Sequence, residues 1–255
     1  MAESLPRAAL VTGAARRIGR AIAWGLALDG WAVAVHYHRS GDEAAALAAE
    51  ITARGGKAVT LAADLGREAE TAALVTRAAA ALGPLGCLVN NASVFENDCA
   101  ATVSRASWDR HLETNLRAPF VLMQRFAAEL PEGAAGVIVN MIDQRVWNLT
   151  PYFLSYTLSK AALWTLTQTM ALALAPRIRV NAIGPGPALP NPRQTPAQFE
   201  RYRSIMPLQR GTSPEEIADA VRFILRAQAM TGQMIALDGG QHLGWAQPAE
   251  RAGWE

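Results

Sequence analysis

Apolar residues along this chain come in two textures that alternate from end to end. Short runs rich in Val, Ile, Leu and Ala recur at Ala8–Val11, Trp31–His36, Ala58–Ala62, Leu85–Val89, Gly136–Met141, Ile178–Ile183 and Gln233–Leu237. Between them lie stretches with helical spacing: Arg17–Leu28, Asp42–Arg54, Arg67–Leu82, two segments within Ser104–Leu130, Phe153–Ala175 and Pro214–Arg226. Runs that are apolar at consecutive positions predict strands buried on both faces. Strands alternating with helices predict right-handed crossovers and a parallel sheet. The expected fold is α/β: one doubly wound domain over residues 1–255, with a seven-stranded parallel sheet and helices on both faces. No linker or internal repeat divides it.

One segment breaks the rhythm. Residues 184–213 follow the sixth run and hold Pro185, Pro187, Pro190, Pro192, Pro196 and Pro207. In an open α/β sheet, ligands bind beyond the carboxyl ends of the strands, where this segment begins. A connection of that length is expected to be a substrate lid, the alternative being a loop that merely covers sheet surface.

Composition narrows the class. Of 255 residues, 51% are hydrophobic and 18% charged, which excludes a disordered chain. A net charge of +2 is too small to steer the protein onto nucleic acid. Cys87 and Cys99 make no disulfide framework, and His36, His38, His111 and His242 show no zinc-binding spacing, so no metal is expected. The N-terminus lacks the apolar core of a signal peptide, and no run approaches the roughly 18 apolar residues of a membrane span. These features predict a cytoplasmic protein with no membrane or nucleic-acid partner.

The first run leads into Thr12-Gly13-Ala14-Ala15-Arg16-Arg17-Ile18-Gly19-Arg20. Gly13 permits a tight turn, Gly19 lets the helix pack against the strand, and the free N–H groups of the helix start face an anion. A glycine-rich turn placed between strand and helix is the context expected for a dinucleotide phosphate loop. The second strand ends His36-Tyr37-His38-Arg39-Ser40, without the acid that would hold a ribose 2′-hydroxyl. Arg39 and Ser40 suit a 2′-phosphate, with Arg17 a second cation nearby, so NADPH is expected over NADH. The alternative is that these basic residues are solvated helix-end charges. Further along, Tyr156-Thr157-Leu158-Ser159-Lys160 places a phenol and an ammonium four residues apart on one helical face. A nearby cation would lower the phenol pKa toward useful acid/base work, whereas a surface pair of the same spacing would mean nothing.

Taken together, Thr12-Gly13…Gly19, Asn90-Asn91-Ala92, Asn115, Tyr156…Lys160 and Pro185-Gly186 resemble the short-chain dehydrogenase/reductase family in order and approximate spacing over about residues 7–243. The resemblance implies a Rossmann domain assembled as a homotetramer. It implies that Tyr156 is the acid/base, that Lys160 also binds the nicotinamide ribose, and that Asn115 holds a water in a proton relay. Along the cofactor it places Gly13, Arg17, Ile18 and Gly19 of the loop, and His36, Tyr37, Arg39 and Ser40 of the second strand end. Asp64 and Leu65 would line the adenine pocket, with Asn91, Ala92 and Ser93 along the cofactor and Pro185 and Gly186 beside the nicotinamide.

Two positions depart from the general pattern. Arg17 replaces the middle loop glycine, and Asp143 replaces the catalytic serine thirteen residues before the tyrosine. A carboxylate is a poor donor to a ketone and opposes deprotonation of Tyr156. Both departures, with the HYHRS segment and Phe95 after Asn90-Asn91-Ala92-Ser93, resemble the pteridine reductase branch, including its dihydrofolate and dihydromonapterin reductases. That resemblance implies NADPH-dependent reduction of a pterin C=N bond, with Asp143 and Tyr156 as the proton route. Phe95 would stack on the heterocycle, while Ser93 and Arg17 would bond the pterin edge and the cofactor phosphate. The alternatives are a capping role for Asp143 and a core role for Phe95. For the whole protein they are a carbonyl reductase acting on a ketone or acyl thioester, and a non-catalytic NADPH-binding protein. Trp147 is expected in the core or an interface rather than the pocket, His111 to be structural, and Cys87 to be a small buried residue. The tail 242–255, with Trp245 and Trp254, is a candidate for packing across a subunit boundary.

Overall fold

The computed structural model describes residues 5–191 and 193–244. The expectation for Trp245 and Trp254 lies outside the described residues. Seven strands, β1 (Ala8–Val11), β2 (Ala32–Tyr37), β3 (Ala58–Ala62), β4 (Cys87–Asn90), β5 (Gly136–Met141), β6 (Ile178–Pro185) and β7 (Met234–Leu237), form one parallel sheet in the order β3-β2-β1-β4-β5-β6-β7. The register sets Leu10 beside Ala34 on one side and Leu88 on the other.

Alternate residues of each strand feed two cores. Ala9, Val11, Cys87, Val89, Val137 and Val139 face α1 (Arg17–Leu28), α2 (Gly41–Ala53) and α8 (Pro214–Arg226). Ala8, Leu10, Leu88 and Ile138 face α3 (Glu68–Leu82), α5 (Ala118–Glu129) and α6 (Leu154–Ala173). Every β1 residue is at least 97% buried, because helices cover both faces of the sheet. Cys87 belongs to this core, and burial pushes its thiol up to about 12. No described helix is long and apolar enough to cross a membrane.

Strand order reverses at β1: the chain runs outward to β2 and β3, then returns to lay β4 on the other side of β1. The crevice beyond the carboxyl ends of β1 and β4 is therefore the topological switch point where such sheets bind ligands. The β1–α1 loop and the segment after β4 meet there.

Two elements were not assigned from the sequence. Within the lid segment, α7 (Pro196–Ser204) begins with a capping box in which Thr195 and Gln198 bond reciprocally, with Pro196 in the first turn. The T-P-x-Q signature was visible, but the surrounding prolines masked it. Between α4 (Arg105–Leu112) and α5 the helix does not stop: Glu113–Arg117 continues as a π-helical stretch that carries Asn115. Such bulges re-aim side chains and concentrate at functional sites.

Candidate active site

The phosphate loop is held from behind by side chains. Thr12 Oγ1 accepts the amides of Asn91 (2.9 Å) and Ala92 (3.0 Å), while Asn91 Nδ2 donates to Thr12 O (2.8 Å). Gly13 has φ +61°, and a Cβ at Gly19 would stand 2.2 Å from Gly13 O, so the turn closes only on glycine there. Arg17 adopts φ +55° as a non-glycine residue, a conformation worth about 1 kcal/mol or more of strain. Its guanidinium compensates by donating to Pro190 O (3.0 Å) and Leu189 O (3.3 Å), which fastens the loop to the segment after β6.

His36 borders the nucleotide cleft and also braces the loop from beneath. Its ring is 1% exposed; Nδ1 accepts the Gly13 amide at 3.0 Å and Nε2 donates to Ala63 O at 3.2 Å. Burial pulls its pKa down to about 4, keeping it the neutral strut this bonding requires. Around this frame a cleft of about 1020 Å³ is bordered by Gly13, Arg17, Ile18, Gly19, His36, Tyr37, Arg39, Ser40, Asp64, Leu65, Asn91, Ala92 and Ser93.

A second, smaller cleft of about 190 Å³ shares Arg17 and Ile18 with the first and is bordered by Pro187, Leu189 and Phe199 of the segment after β6. Phe95, Asp143, Pro185 and Gly186 line it, together with Arg145 and Phe153, which sequence reasoning passed over. At the end of β5, Asp143 Oδ1 accepts the Arg145 amide at 2.8 Å, capping the short helical turn Gln144–Val146. Its Oδ2 accepts the Tyr156 hydroxyl at 2.9 Å. Both readings of Asp143, cap and partner of the phenol, are therefore present in one carboxylate.

The electrostatics differ from the sequence expectation in one respect. Lys160 does not reach the phenol oxygen: Nζ donates to Met141 O at 2.8 Å and lies 5.8 Å from the Tyr156 ring centre. Burial, followed by the Asp143 charge, raises the phenol well above its ordinary value, while Arg145 is the cation that opposes this. Burial pulls Lys160 down to about 8, with the Asp143 charge holding it up. The four-residue spacing brought the two side chains to one face, but the lysine is drawn past the ring toward a strand carbonyl.

The Asn115 side chain ties the segment after β4 to α6. Its Oδ1 accepts Val94 N (2.8 Å) and Ser93 Oγ (3.2 Å), and its Nδ2 donates to Val94 O (2.9 Å) and Ser159 Oγ (3.1 Å). An amide has two donors and two acceptor positions, and these four bonds engage all of them. Phe95 is half-buried, not in the core; it stacks on Phe153 at 4.4 Å and 6°, and meets Tyr156 edge-on at 4.7 Å. Trp147 lies in neither the pocket nor the core: it is 44% exposed and packs against Trp164 and His242. His111 is fully buried and accepts the Glu96 amide on Nε2 at 3.1 Å, a structural placement.

A family model described as enoyl-(acyl carrier protein) reductase matches residues 13–242. The chain belongs to the short-chain dehydrogenase/reductase family. It is an oxidoreductase of that family and falls with its pteridine-reductase-like branch. Pteridine reductase 1 of Leishmania tarentolae is 36% identical over 278 residues, covering 92% of this chain and 96% of the relative. The crystal structure of FolM alternative dihydrofolate reductase 1 from Brucella canis, complexed with NADP, superposes with a TM-score of 0.93. It is 50% identical and covers 98% of this chain and 99% of the other. The 3-oxoacyl-(acyl-carrier-protein) reductase FabG of Staphylococcus epidermidis is 32% identical over 244 residues, covering 93% and 99%.

Proposed function

We propose that this protein is an NADPH-dependent reductase of a pterin C=N bond, with a dihydropterin or dihydrofolate as substrate. The observation that carries the reading is the 2.9 Å hydrogen bond from Tyr156 to Asp143 at the wall of a cleft that also presents Phe95. A serine hydroxyl at that position would donate to a ketone; a carboxyl–phenol pair instead stores and delivers a proton.

The residues present fit the cofactor. Gly13 lets the loop close against the segment after β4, since a Cβ there would meet Ala92 Cα at 3.1 Å, and the loop so placed borders the cleft with Ile18 and Gly19. Arg39 and Ser40 border the cleft and would hold a 2′-phosphate, and Asp64 and Leu65, which also border it, would line an adenine site. Lys160 would bond the nicotinamide ribose, and Pro185 and Gly186 would flank the ring. When bound, the cofactor supplies a hydride to the ring carbon of the substrate.

Hydride addition leaves an electron pair on the adjacent ring nitrogen, which must take a proton. Asp143 lines the cleft, whereas Tyr156 is 6% exposed behind it. The proton in place is the one the Tyr156 hydroxyl donates to Asp143 Oδ2; it passes through the carboxyl to the ring nitrogen, and water returns a proton to the phenol. Phe95 supplies an aromatic face for the flat heterocycle, a stack worth about 0.5–1.5 kcal/mol beyond area burial. Ser93 and Arg17 stand close enough to the two clefts to bond the pterin edge and the cofactor phosphate.

The test is a substrate panel with NADPH, followed by the absorbance of the reduced nicotinamide. Dihydropterins or dihydrofolate should be consumed, and Asp143→Ser should abolish that turnover. If ketones or 3-oxoacyl thioesters are reduced while every pterin is left untouched, the chain is a carbonyl reductase like its FabG relatives. Tight NADPH binding without turnover of any substrate would make it a non-catalytic binding protein.

A further inference from the structure

The segment after β4 has no regular secondary structure, yet it must hold the Phe95 ring in the substrate cleft. Its backbone is gripped at alternate residues. Asn115 brackets Val94 from both sides, and His111 accepts the Glu96 amide. Asp98 makes the third attachment, and it is of a different kind. Its side chain is buried, with 4% residue exposure, and its carboxylate reaches the first turn of α6, the helix that carries Tyr156 and Lys160.

That helix start needs an outside acceptor. The N-cap is Phe153, an apolar residue at φ +55° that provides no side-chain cap. The first amides of a helix have no partner within it, and an uncapped start frays. Asp98 supplies what is missing from across the fold. Oδ1 accepts the Ser155 amide at 3.0 Å, Oδ2 accepts the Ser155 hydroxyl, and the Asp98 carbonyl accepts the Leu154 amide at 3.2 Å. Ser107 Oγ of α4 adds a further bond to Oδ2 at 2.7 Å, and the His111 Nδ1 stands 2.7 Å from Ser155 Oγ. Burial pushes the carboxyl upward, but the bonds from Ser107 and Ser155 outweigh it and hold the group below its ordinary value. A negative charge at a helix N-terminus is favoured by the helix dipole.

We propose that Asp98 is a positioning residue: a cap supplied from the Phe95-bearing segment that sets the Tyr156 phenol and the Phe95 ring at a fixed height relative to each other. Ser155 immediately precedes Tyr156, and Phe95 lies three residues before Asp98, so one carboxylate ties the proton donor to the substrate shelf. A second tie runs parallel to it one helical turn on, from Asn115 to Ser159. The inference concerns geometry common to any substrate of this cleft, so it does not depend on the pterin reading. It is tested on whichever substrate the wild-type protein turns over.

The experiment measures kcat per NADPH-binding site, with sites counted by cofactor titration so that unfolded protein drops out. A misplacement of about 1 Å can cost about a hundredfold in rate. Asp98→Ala is expected to lose about tenfold or more in kcat and to raise substrate KM severalfold, with NADPH Kd within about twofold of wild type. Asp98→Asn retains an oxygen for the Ser155 amide and should recover most of the lost rate. Should Asp98→Ala fail to fold, Ser155→Ala, which removes the hydroxyl bond to Asp98, decides: a lowered kcat per site with unchanged NADPH affinity supports the proposal, and wild-type kinetics per site overturns it. A folded Asp98→Ala protein with wild-type kcat and KM per site, or one whose rate falls only in step with lost NADPH sites, overturns it as well.

Discussion

Lys160 provides a test of the site that does not require knowing the substrate. Its side chain is buried, with 2% residue exposure, and burial draws the ammonium from an ordinary 10.5 to about 8. At 1.36 kcal/mol per pH unit, keeping that charge in the folded protein at neutral pH costs about 3 kcal/mol. The bond to Met141 O recovers about 1.5–3 kcal/mol of gross interaction, part of which the unfolded chain obtains from water. Lys160→Met removes the charge and fills the space, so the variant without cofactor should be more stable than wild type at pH 7 by about 1–2 kcal/mol. For a chain of this size that is a Tm increase of several degrees. The sign of the pH dependence follows from proton counting. Below about 8 the lysine is protonated in both states and the penalty is constant. Between about 8 and 10.5 the folded state releases the proton while the unfolded state keeps it, so wild-type stability from this group rises with pH. Above 10.5 the penalty is gone. Urea titrations of both proteins from pH 7 to 10.5 should therefore show a gap that favours the variant at pH 7 and shrinks as pH rises. A variant less stable than wild type at pH 7, or a gap that stays constant across the range, would refute the buried-ammonium argument. The same substitution should abolish turnover.

Three further outcomes follow from the geometry. Gly19→Ala forces a methyl to within 2.2 Å of Gly13 O; it should destabilise the fold by about 1–3 kcal/mol and remove the thermal stabilisation that NADPH confers, read by a melting shift with and without cofactor. Arg39→Ala should weaken NADPH by about ten- to a hundredfold, the loss of a charged hydrogen bond, while leaving NADH unchanged; comparable losses for both cofactors would remove Arg39 from the 2′-phosphate site. Phe95→Ala should raise the KM of the heterocyclic substrate by about tenfold or more through lost stacking and area, with NADPH Kd unaffected, and an unaltered KM would show that the ring does not touch substrate.

The sheet was legible because its signal is one-dimensional. A strand covered on both faces must be apolar at every position, so β1 and β5 begin and end where their runs do, and the edge strand β3 keeps its bounds although Thr60 and Ala62 are exposed. The phosphate loop was legible for a related reason: glycine is demanded by a local backbone conformation, and Gly13 does adopt φ +61°. What the pattern could not show is where long side chains end. Tyr156 and Lys160 share a helix face as their spacing requires, yet the ammonium is taken by Met141 O on β5, a contact set by how closely α6 packs on the sheet. His36 falls at the expected strand end and borders the cleft, but its bond to the Gly13 amide, which braces the loop, carries no signal in the sequence. Phe153 and Arg145 carry no motif; they enter the cleft only because the β5–α6 connection and the segment after β6 border it together.

The same distinction bears on how a change of reaction is written into this fold. Replacing the family's serine with Asp143 is a single step in sequence, but it places a carboxylate against a buried phenol and so raises that phenol's pKa. A ketone reductase would lose by this, because it needs a neutral donor beside an acidic phenol. A site that must protonate a ring nitrogen gains, since the phenol keeps its proton at neutral pH and the carboxylate it bonds to leads that proton into the cleft. The buried Arg145, whose backbone amide holds Asp143 in place, opposes the rise and keeps the pair from binding its proton too tightly. Arg145→Met should accordingly shift the pH profile of kcat upward, because the relay then retains its proton to higher pH. Lys160, Asp143, His111 and Arg193 are the other charged or titratable groups packed around the Tyr156–Phe95 cluster, and all are unchanged in that variant. A profile that stays where it was would mean that Arg145 serves the shape of the cleft and not its proton affinity.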